Sequence, residues 1–402
     1  MLTNALSDER DSIYLDHAAA TPLRLEVRDV MLPFLGATYG NPSSIHHKGR
    51  EAHEAMVRAR EDVATALGAH PHEIIFTGSG TEANNLALFG VLRSHRDAKK
   101  HVLVSRIEHK SVLAPLETLA REGYDIEYVP VDTEGRVRVS DIIARVRNDT
   151  ALISIMYANN EIGTVEPIGE IAGALKKVFE ANGTRPLFHT DACQAPGQLP
   201  VTVNDLGVDL MTQNGSKVYG PKGVGLLYVR SGVTLLPHIL GGEQESGMRG
   251  GTENVAGIVG LAKALTLAVV EREETAKKLT SLREKLIDGV TRAIPNAILN
   301  GHRTERLANN AHFSFPNIEG ESLLLLLDAS GICAGTGSAC SSHDLTPSHV
   351  LRAIGQNNEL IHGSIRLSLG RETTEADITK TITALEACVA RLTALSPLPL
   401  SL

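Results

Sequence analysis

The chain has 402 residues, 39 Lys and Arg against 47 Asp and Glu, a formal charge of -8 and only 3% aromatic residues. That balance supplies neither the basic patch nor the stacking side chains that nucleic-acid binding needs. Four cysteines, at 193, 333, 340 and 388, contain no CxxC pair, so a disulfide framework is excluded and a reducing cytoplasm fits.

The N-terminus MLTNALSDERD carries acids where a signal peptide would carry a basic region, and no apolar run reaches ~18 residues. Neither His46-His47 nor His70-Pro-His72 has Cys or carboxylate company at ligand spacing, so no intrinsic metal is expected. The length exceeds what one core usually serves and predicts a large domain with a smaller one.

Along the chain, short apolar runs alternate with amphipathic stretches. A helical pattern over 46–67 precedes EIIFTG (73–78), and another over 81–94 leads to HVLVSRIEH (101–109). Helical spacing returns at 110–122, followed by ALISIMYANN (151–160), a helix over 168–181, LFHTDA (187–192), VDLMTQ (208–213) and GVGLLYVR (223–230). This alternation predicts an α/β domain with a mostly parallel sheet. GVGLLYVR follows its predecessor too closely for a helical crossover and is a candidate antiparallel strand. Ligands should gather at the carboxyl ends of the parallel strands.

Residues 253–294 read as a long helical stretch, charged in its second half, that bridges into a small α+β domain. NNAHFSFPN (309–317), a buried Leu run (323–327), SIRLSLG (364–370) and a helix near 374–396 complete that part. The expected boundaries are 12–258 for the large domain and 259–396 for the small one, with residues 1–20 able to pack on the latter.

Three separated polar residues carry the chemistry. Asp191 ends LFHTDA, Lys217 sits in QNGSKVYGPKG (213–223), and Cys340 sits in AGTGSACSSHD (334–344). An acid, an amine and a thiol can hold a pyridoxal cofactor by its ring nitrogen and aldehyde and attack what is bound there. Lys222, inside Gly-Pro-Lys-Gly, reads as a turn residue, which leaves Lys217 as the reactive amine.

TGSGTEANN (77–85) follows a strand and opens a helix, so Gly78, Gly80 and Thr81 form a candidate phosphate cup; it lacks the Lys of a P-loop. The small polar residues around Cys340 suit an accessible thiol, whereas Cys388 and Cys333 read as buried and Cys193 as adjacent to the site. Arg366, flanked by apolar residues, can take a carboxylate through two parallel hydrogen bonds.

In this order the motifs resemble the cysteine desulfurases among the class V aminotransferase-like, fold type I pyridoxal phosphate enzymes, specifically the group serving iron-sulfur cluster assembly. YLDHAAATP (14–22), GNPSSIH (40–46), GSGTEANNLAL (78–88), IEHKSVL (107–113), NNEIGTV (159–165), HTDACQAPG (189–197), KVYGPKG (217–223), RGGTEN (249–254), GSACSS (337–342) and IRLSLGR (365–371) carry the resemblance.

It implies that Lys217 binds the pyridoxal 5'-phosphate aldehyde, Asp191 partners the pyridine nitrogen and Gln194 donates to the phenolic oxygen. His109 would stack on the ring and shuttle protons. Gly80, Thr81 and Ser216 would hold the phosphate, joined by Thr252 of a neighbouring subunit in a homodimer. Asn160 and Arg366, with Asn41 nearby, would hold the substrate carboxylate. Cys340 would carry the persulfide and can serve as a transient iron-sulfur ligand in a complex.

The family commonly has Ser-x-His before the lysine, and here those places read Asn214-Gly215-Ser216. Conversion of L-cysteine to L-alanine, with sulfur passed to an iron-sulfur scaffold or other acceptor, is the implied activity. The rivals are a selenocysteine lyase, an aminotransferase of the same fold and a non-catalytic assembly scaffold.

Overall fold

The computed structural model describes residues 12–94, 100–183, 185–336 and 347–395. Cys340 and its neighbours at 337–346 lie outside the described residues. The chain opens with β1 (Ile13–Tyr14), α1 (Leu25–Met31), the long α2 (His47–Leu67), β2 (Ile74–Thr77) and α3 (Gly80–Ser94). Next come β3 (His101–Ser105), α4 (Lys110–Arg121), β4 (Asp125–Val129), α5 (Val139–Ile143), β5 (Thr150–Ser154) and α6 (Ile168–Asn182). β6 (Leu187–Asp191), α7 (Val203–Leu206), β7 (Leu210–Asn214) and β8 (Gly225–Val229) complete the large sheet, and α8 (Val255–Val270) and α9 (Arg272–Ala293) leave it. The remainder is β9 (Ile298–Asn300), β10 (Asn310–Ser314), α10 (Gly320–Ala329), β11 (Ile332–Cys333), α11 (His349–Ala353), α12 (Asn358–His362), β12 (Ser364–Ser368) and α13 (Glu375–Leu395).

Seven strands run in the order β2-β8-β7-β6-β5-β3-β4, and only β8 is antiparallel to its neighbours. The turn between β7 and β8 is too short for a helical crossover, as expected. β4 is absent from the sequence reading because, as an edge strand, it buries only Val129 and so has no apolar run.

Side chains of β3 show how the sheet separates two cores. Val102 and Val104 join Leu86, Val91 and Leu116 of α3 and α4, while Leu103 joins Val63, Ile171 and Leu261 from α2, α6 and α8 on the opposite face. That alternation is the period of two of a strand, and each fully buried aliphatic side chain contributes roughly 1.5–3 kcal/mol.

The three-stranded antiparallel sheet β12-β10-β9 builds a separate core, in which Phe313 and Ile365 meet Leu286 of α9, Leu323 of α10 and Leu385 of α13. The Leu run is amphipathic rather than wholly buried: Leu323 and Leu327 are 0% exposed but Leu325 is 71% exposed. The helical stretch at 253–294 breaks at Glu271, which closes α8 and opens α9. Ile258, Leu261 and Leu265 of α8 lie in the core of the large sheet.

The segment from Ile13 to Arg24 ties both halves together. β1 pairs with β11, Leu15 is buried in the small core, Thr21 N–H donates to the Ser216 carbonyl at 2.9 Å, and Arg24 donates to Glu271 at 2.7 and 2.8 Å.

Candidate active site

The carboxyl ends of β2, β3, β5, β6 and β7 open on a cavity of about 500 Å³. Parallel strands bring their ends to one edge, so residues remote in sequence converge there. Gly80 and Thr81 reach it from the start of α3, His109 from the turn after β3, and Asn160 from the turn after β5. Asp191 and Gln194 come from the end of β6, Lys217 from a single turn after β7, and Arg366 from the small sheet.

Asp191 is 6% exposed. Its Oδ2 accepts from Asn84 Nδ2 at 2.7 Å and its Oδ1 from Cys193 N–H at 3.0 Å. His109 caps α4: its Nδ1 accepts from Ser111 N–H at 3.1 Å and lies 2.7 Å from Ser111 Oγ.

Lys217 Nζ donates to the Ala18 carbonyl at 3.0 Å and also to that of Ala19, while Gln194 Nε2 donates to the same Ala18 carbonyl at 2.9 Å. Two residues beyond Lys217, Tyr219 adopts a left-handed φ of 60°, which a non-glycine residue holds only when over-determined. The determinants are Thr21 Oγ1, which accepts its N–H at 2.8 Å, Arg24 N–H on its carbonyl at 3.1 Å, and Arg371 N–H on its hydroxyl at 2.8 Å. Lys222 is exposed.

The start of α3 depends on close backbone approach. A Cβ added at Gly80 would come 2.8 Å from Cys193 Sγ, and one at Gly225 would come 2.5 Å from the Ser79 carbonyl carbon. Asn214 lines the cavity, whereas Ser216 does not; its N–H is used by Asn214 Oδ1 at 3.4 Å.

Arg366 is 2% exposed; it donates to the Asn160 carbonyl at 2.9 Å and to Asp16 Oδ1 at 2.7 Å, and its Nε has no acceptor among the described residues. Asn41 and Thr252 are exposed and outside this cavity; Asn41 Oδ1 accepts from Ser43 N–H at 2.9 Å. Cys388 is buried as expected, but Cys333 is only partly so, at the end of β11. Cys193 lines the cavity, and burial with the Asp191 charge beside it pushes its thiol pKa well up.

Several site residues carry no obvious sequence signal. Asn84 follows Thr81 by one helical turn, and Ser111 stands two places after His109; both lie inside quoted motifs without a role. Ala18 and Ala19 act through carbonyls, which no side-chain pattern reports. Glu161 accepts from Ser348 Oγ at 2.6 Å, and burial lifts its pKa to about 7. Glu108 accepts from Ser105 Oγ and Met156 N–H at 2.6 and 2.7 Å, and burial lifts its pKa to about 8. His349 Nε2 lies 2.9 Å from the Glu108 carbonyl and must donate to it, so Pro347, Ser348 and His349 form one wall.

Residues 13–381 match the family model of the class-V aminotransferases. The chain is 50% identical to the cysteine desulfurase IscS of Dictyoglomus turgidum over 96% of each chain. It belongs to the cysteine desulfurases of the class-V aminotransferase family.

A second cysteine desulfurase IscS, from Methanosarcina thermophila, is 48% identical over 98% of this chain and 96% of its own. Among solved structures, a NifS-like protein superposes with a TM-score of 0.88 at 38% identity, covering 94% of this chain and 100% of its own. SspA in complex with cysteine gives 0.77 at 35% identity, over 89% and 98%. Cysteine desulfurases work with pyridoxal phosphate, and the donor set fits it. A primary amine, a buried carboxylate, an imidazole and a helix N-terminus face one cavity, with no side chain at Gly80 to crowd it.

Proposed function

We propose that this chain is a cysteine desulfurase that binds pyridoxal 5'-phosphate, converts L-cysteine to L-alanine and passes the sulfur through Cys340 to an acceptor. The carrying observation is the convergence of Lys217, Asp191, His109 and Arg366 on one cavity in a chain of this family. When bound, the cofactor supplies an electron sink that makes the substrate Cα proton acidic.

The protein's share is placement. Asp191 would hold the ring nitrogen, Gln194 the phenolic oxygen, and the first turn of α3 with Thr81 the phosphate. Ser216 belongs to the phosphate set by resemblance, but Asn214 is the member of that turn that faces the cavity. Lys217 Nζ, held by the Ala18 and Ala19 carbonyls, is the amine that would hold the cofactor aldehyde and, as a free amine, would accept the substrate Cα proton.

Arg366, anchored by Asp16 and Asn160, retains N–H groups for the substrate carboxylate, and Asn41 belongs to that set by resemblance. His109, which lines the cavity, would hold and move a proton there. Cys340, as a thiolate, attacks the substrate sulfur: the new S–S bond forms as the C–S bond breaks, and the bonding pair stays with carbon, where a proton completes alanine.

A homodimer is part of the proposal. Thr252 is exposed beside the Ile239–Arg249 bridge, and adjacent Leu240 is 80% exposed, a surface suited to a second copy whose cup Thr252 completes. Iron-sulfur scaffolds are the proposed acceptors, and Cys340 the proposed transient ligand. The cytoplasm is the proposed compartment: Cys193, Cys333 and Cys388 are free thiols, and no described helix is long and apolar enough to cross a membrane.

Borohydride reduction of purified holoenzyme followed by peptide mapping tests the cofactor assignment. The label is expected on Lys217; a label on Lys222, or none with full visible absorbance, refutes it.

A further inference from the structure

We propose that Asn84 and Ser111 are positioning residues that join the Asp191 carboxylate and the His109 imidazole into one hydrogen-bonded unit and keep the proton of neutral His109 on Nε2. The inference rests on the reading of Asp191 and His109 as the residues that hold the ring nitrogen and move a proton.

Asn84 is 1% exposed, so its amide has to find partners inside the protein. Its Nδ2 donates at 2.7 Å to Asp191 Oδ2 and at 2.8 Å to Ser111 Oγ, one N–H for each. The flipped amide would set Oδ1 against a carboxylate oxygen, so the carboxylate fixes the orientation. Asn84 Oδ1 is then buried with no partner among the described residues, a cost set against the two bonds on the other side of the amide.

Ser111 Oγ accepts from Asn84 and therefore has its own proton to give. His109 Nδ1, 2.7 Å away, is positioned to accept it, and Ser111 N–H reaches the same nitrogen at 3.1 Å. A ring nitrogen that faces two donors carries no proton, which leaves Nε2 as the protonated position of the neutral ring. An amide donates hydrogen bonds but does not ionise between the two groups. Geometry is thus shared between Asp191 and His109 while the proton of one is kept from the charge of the other.

The test uses holoenzyme labelled with ¹⁵N in its histidine rings. His109 is assigned by difference with His109→Gln, and kcat and KM are measured alongside for Ser111→Ala, Ser111→Thr and Asn84→Ala. The wild type is expected to show His109 as the Nε2–H tautomer. Ser111→Ala should shift the Nδ1 resonance and lower kcat about three- to tenfold at nearly unchanged KM, the scale of one hydrogen bond. Ser111→Thr, which keeps the hydroxyl, should restore both. An Nδ1–H tautomer in the wild type overturns the proposal, as does a Ser111→Ala variant with unchanged resonance and kcat, or a Thr variant that behaves as Ala does. Asp191→Ala and His109→Gln separate the two levels. Wild-type turnover in both refutes the underlying reading, whereas their loss beside an unaffected Ser111→Ala refutes only the Asn84–Ser111 link.

Discussion

Asp191 and Arg366 are buried opposite charges in one cavity, contributed by different sheets and held in different ways. Asp191 is the last residue of a parallel strand, in register with Thr212 of β7, so the sheet itself delivers it to the ligand edge. Arg366 lies in the middle of β12, opposite His312, with Gly335 bridged to it on the other side. Burial and the nearby Arg366 and Arg306 charges depress the His312 pKa to about 3, so its imidazole is neutral beside the guanidinium. The Arg366 cation depends instead on Asp16, in the segment that ties the two halves together; a Cβ at Gly335 would press within 2.6 Å of that Asp16 carboxylate. Strand ends place a group by topology, whereas a mid-strand charge needs a partner from elsewhere in the chain.

The largest effect belongs to the strand-end side. Lys217→Ala should lower alanine formation from L-cysteine by roughly 10²–10⁴-fold, the range for removal of a positioned acid or base, without altering the circular dichroism spectrum. On the other sheet, Arg366→Lys should raise KM for L-cysteine about ten- to hundredfold, since a hydrogen bond to a charged group is worth ~1.5–3 kcal/mol. Asp16→Asn should give a smaller rise in the same direction. Equal losses in kcat with unchanged KM would contradict the assignment of Arg366 to the substrate carboxylate.

This contrast also explains what was legible in the sequence. Asp191, His109 and Lys217 stand at or just beyond apolar runs, so period and turn chemistry expose them. Ala18 and Ala19 contribute only carbonyls, Asn84 looks like any polar helix residue, and β4 exposes too much of its length to read as a strand. Charge separates the two halves of the 253–294 stretch in the sequence, but the break at Glu271 lies within one continuous helical pattern, and packing shows that the apolar half covers the large sheet and the charged half the small one. Ser216 has the right chemistry for a phosphate, and Asn214, the last residue of β7, is the one of the two that lines the cavity.

Buried acids around the cavity predict a stability effect of intermediate size. Glu108 keeps its proton to about pH 8 in the folded chain and loses it near the ordinary 4.5 when unfolded, so its contribution to stability is present at low pH and falls as pH rises through that window. Glu108→Gln cannot titrate. It should melt at or slightly below the wild-type temperature at about pH 5 and a few degrees above it at about pH 9, checked by thermal scans across that range. A constant difference at all pH values would contradict the buried, protonated state.

The smallest effect is expected at Cys193. Its thiol, raised by burial and the Asp191 charge, is a poor nucleophile, so Cys193→Ala should change turnover less than about threefold, and alkylation at this position should be slow.

The most direct measurement is a single turnover of holoenzyme with L-cysteine, quenched and mapped by peptide mass, with alanine counted in the same sample. The account predicts one added sulfur atom on the peptide containing Cys340 for each alanine released, and neither product from Cys340→Ser. Alanine at the wild-type rate from Cys340→Ser, or sulfur found on Cys193, Cys333 or Cys388, would contradict it.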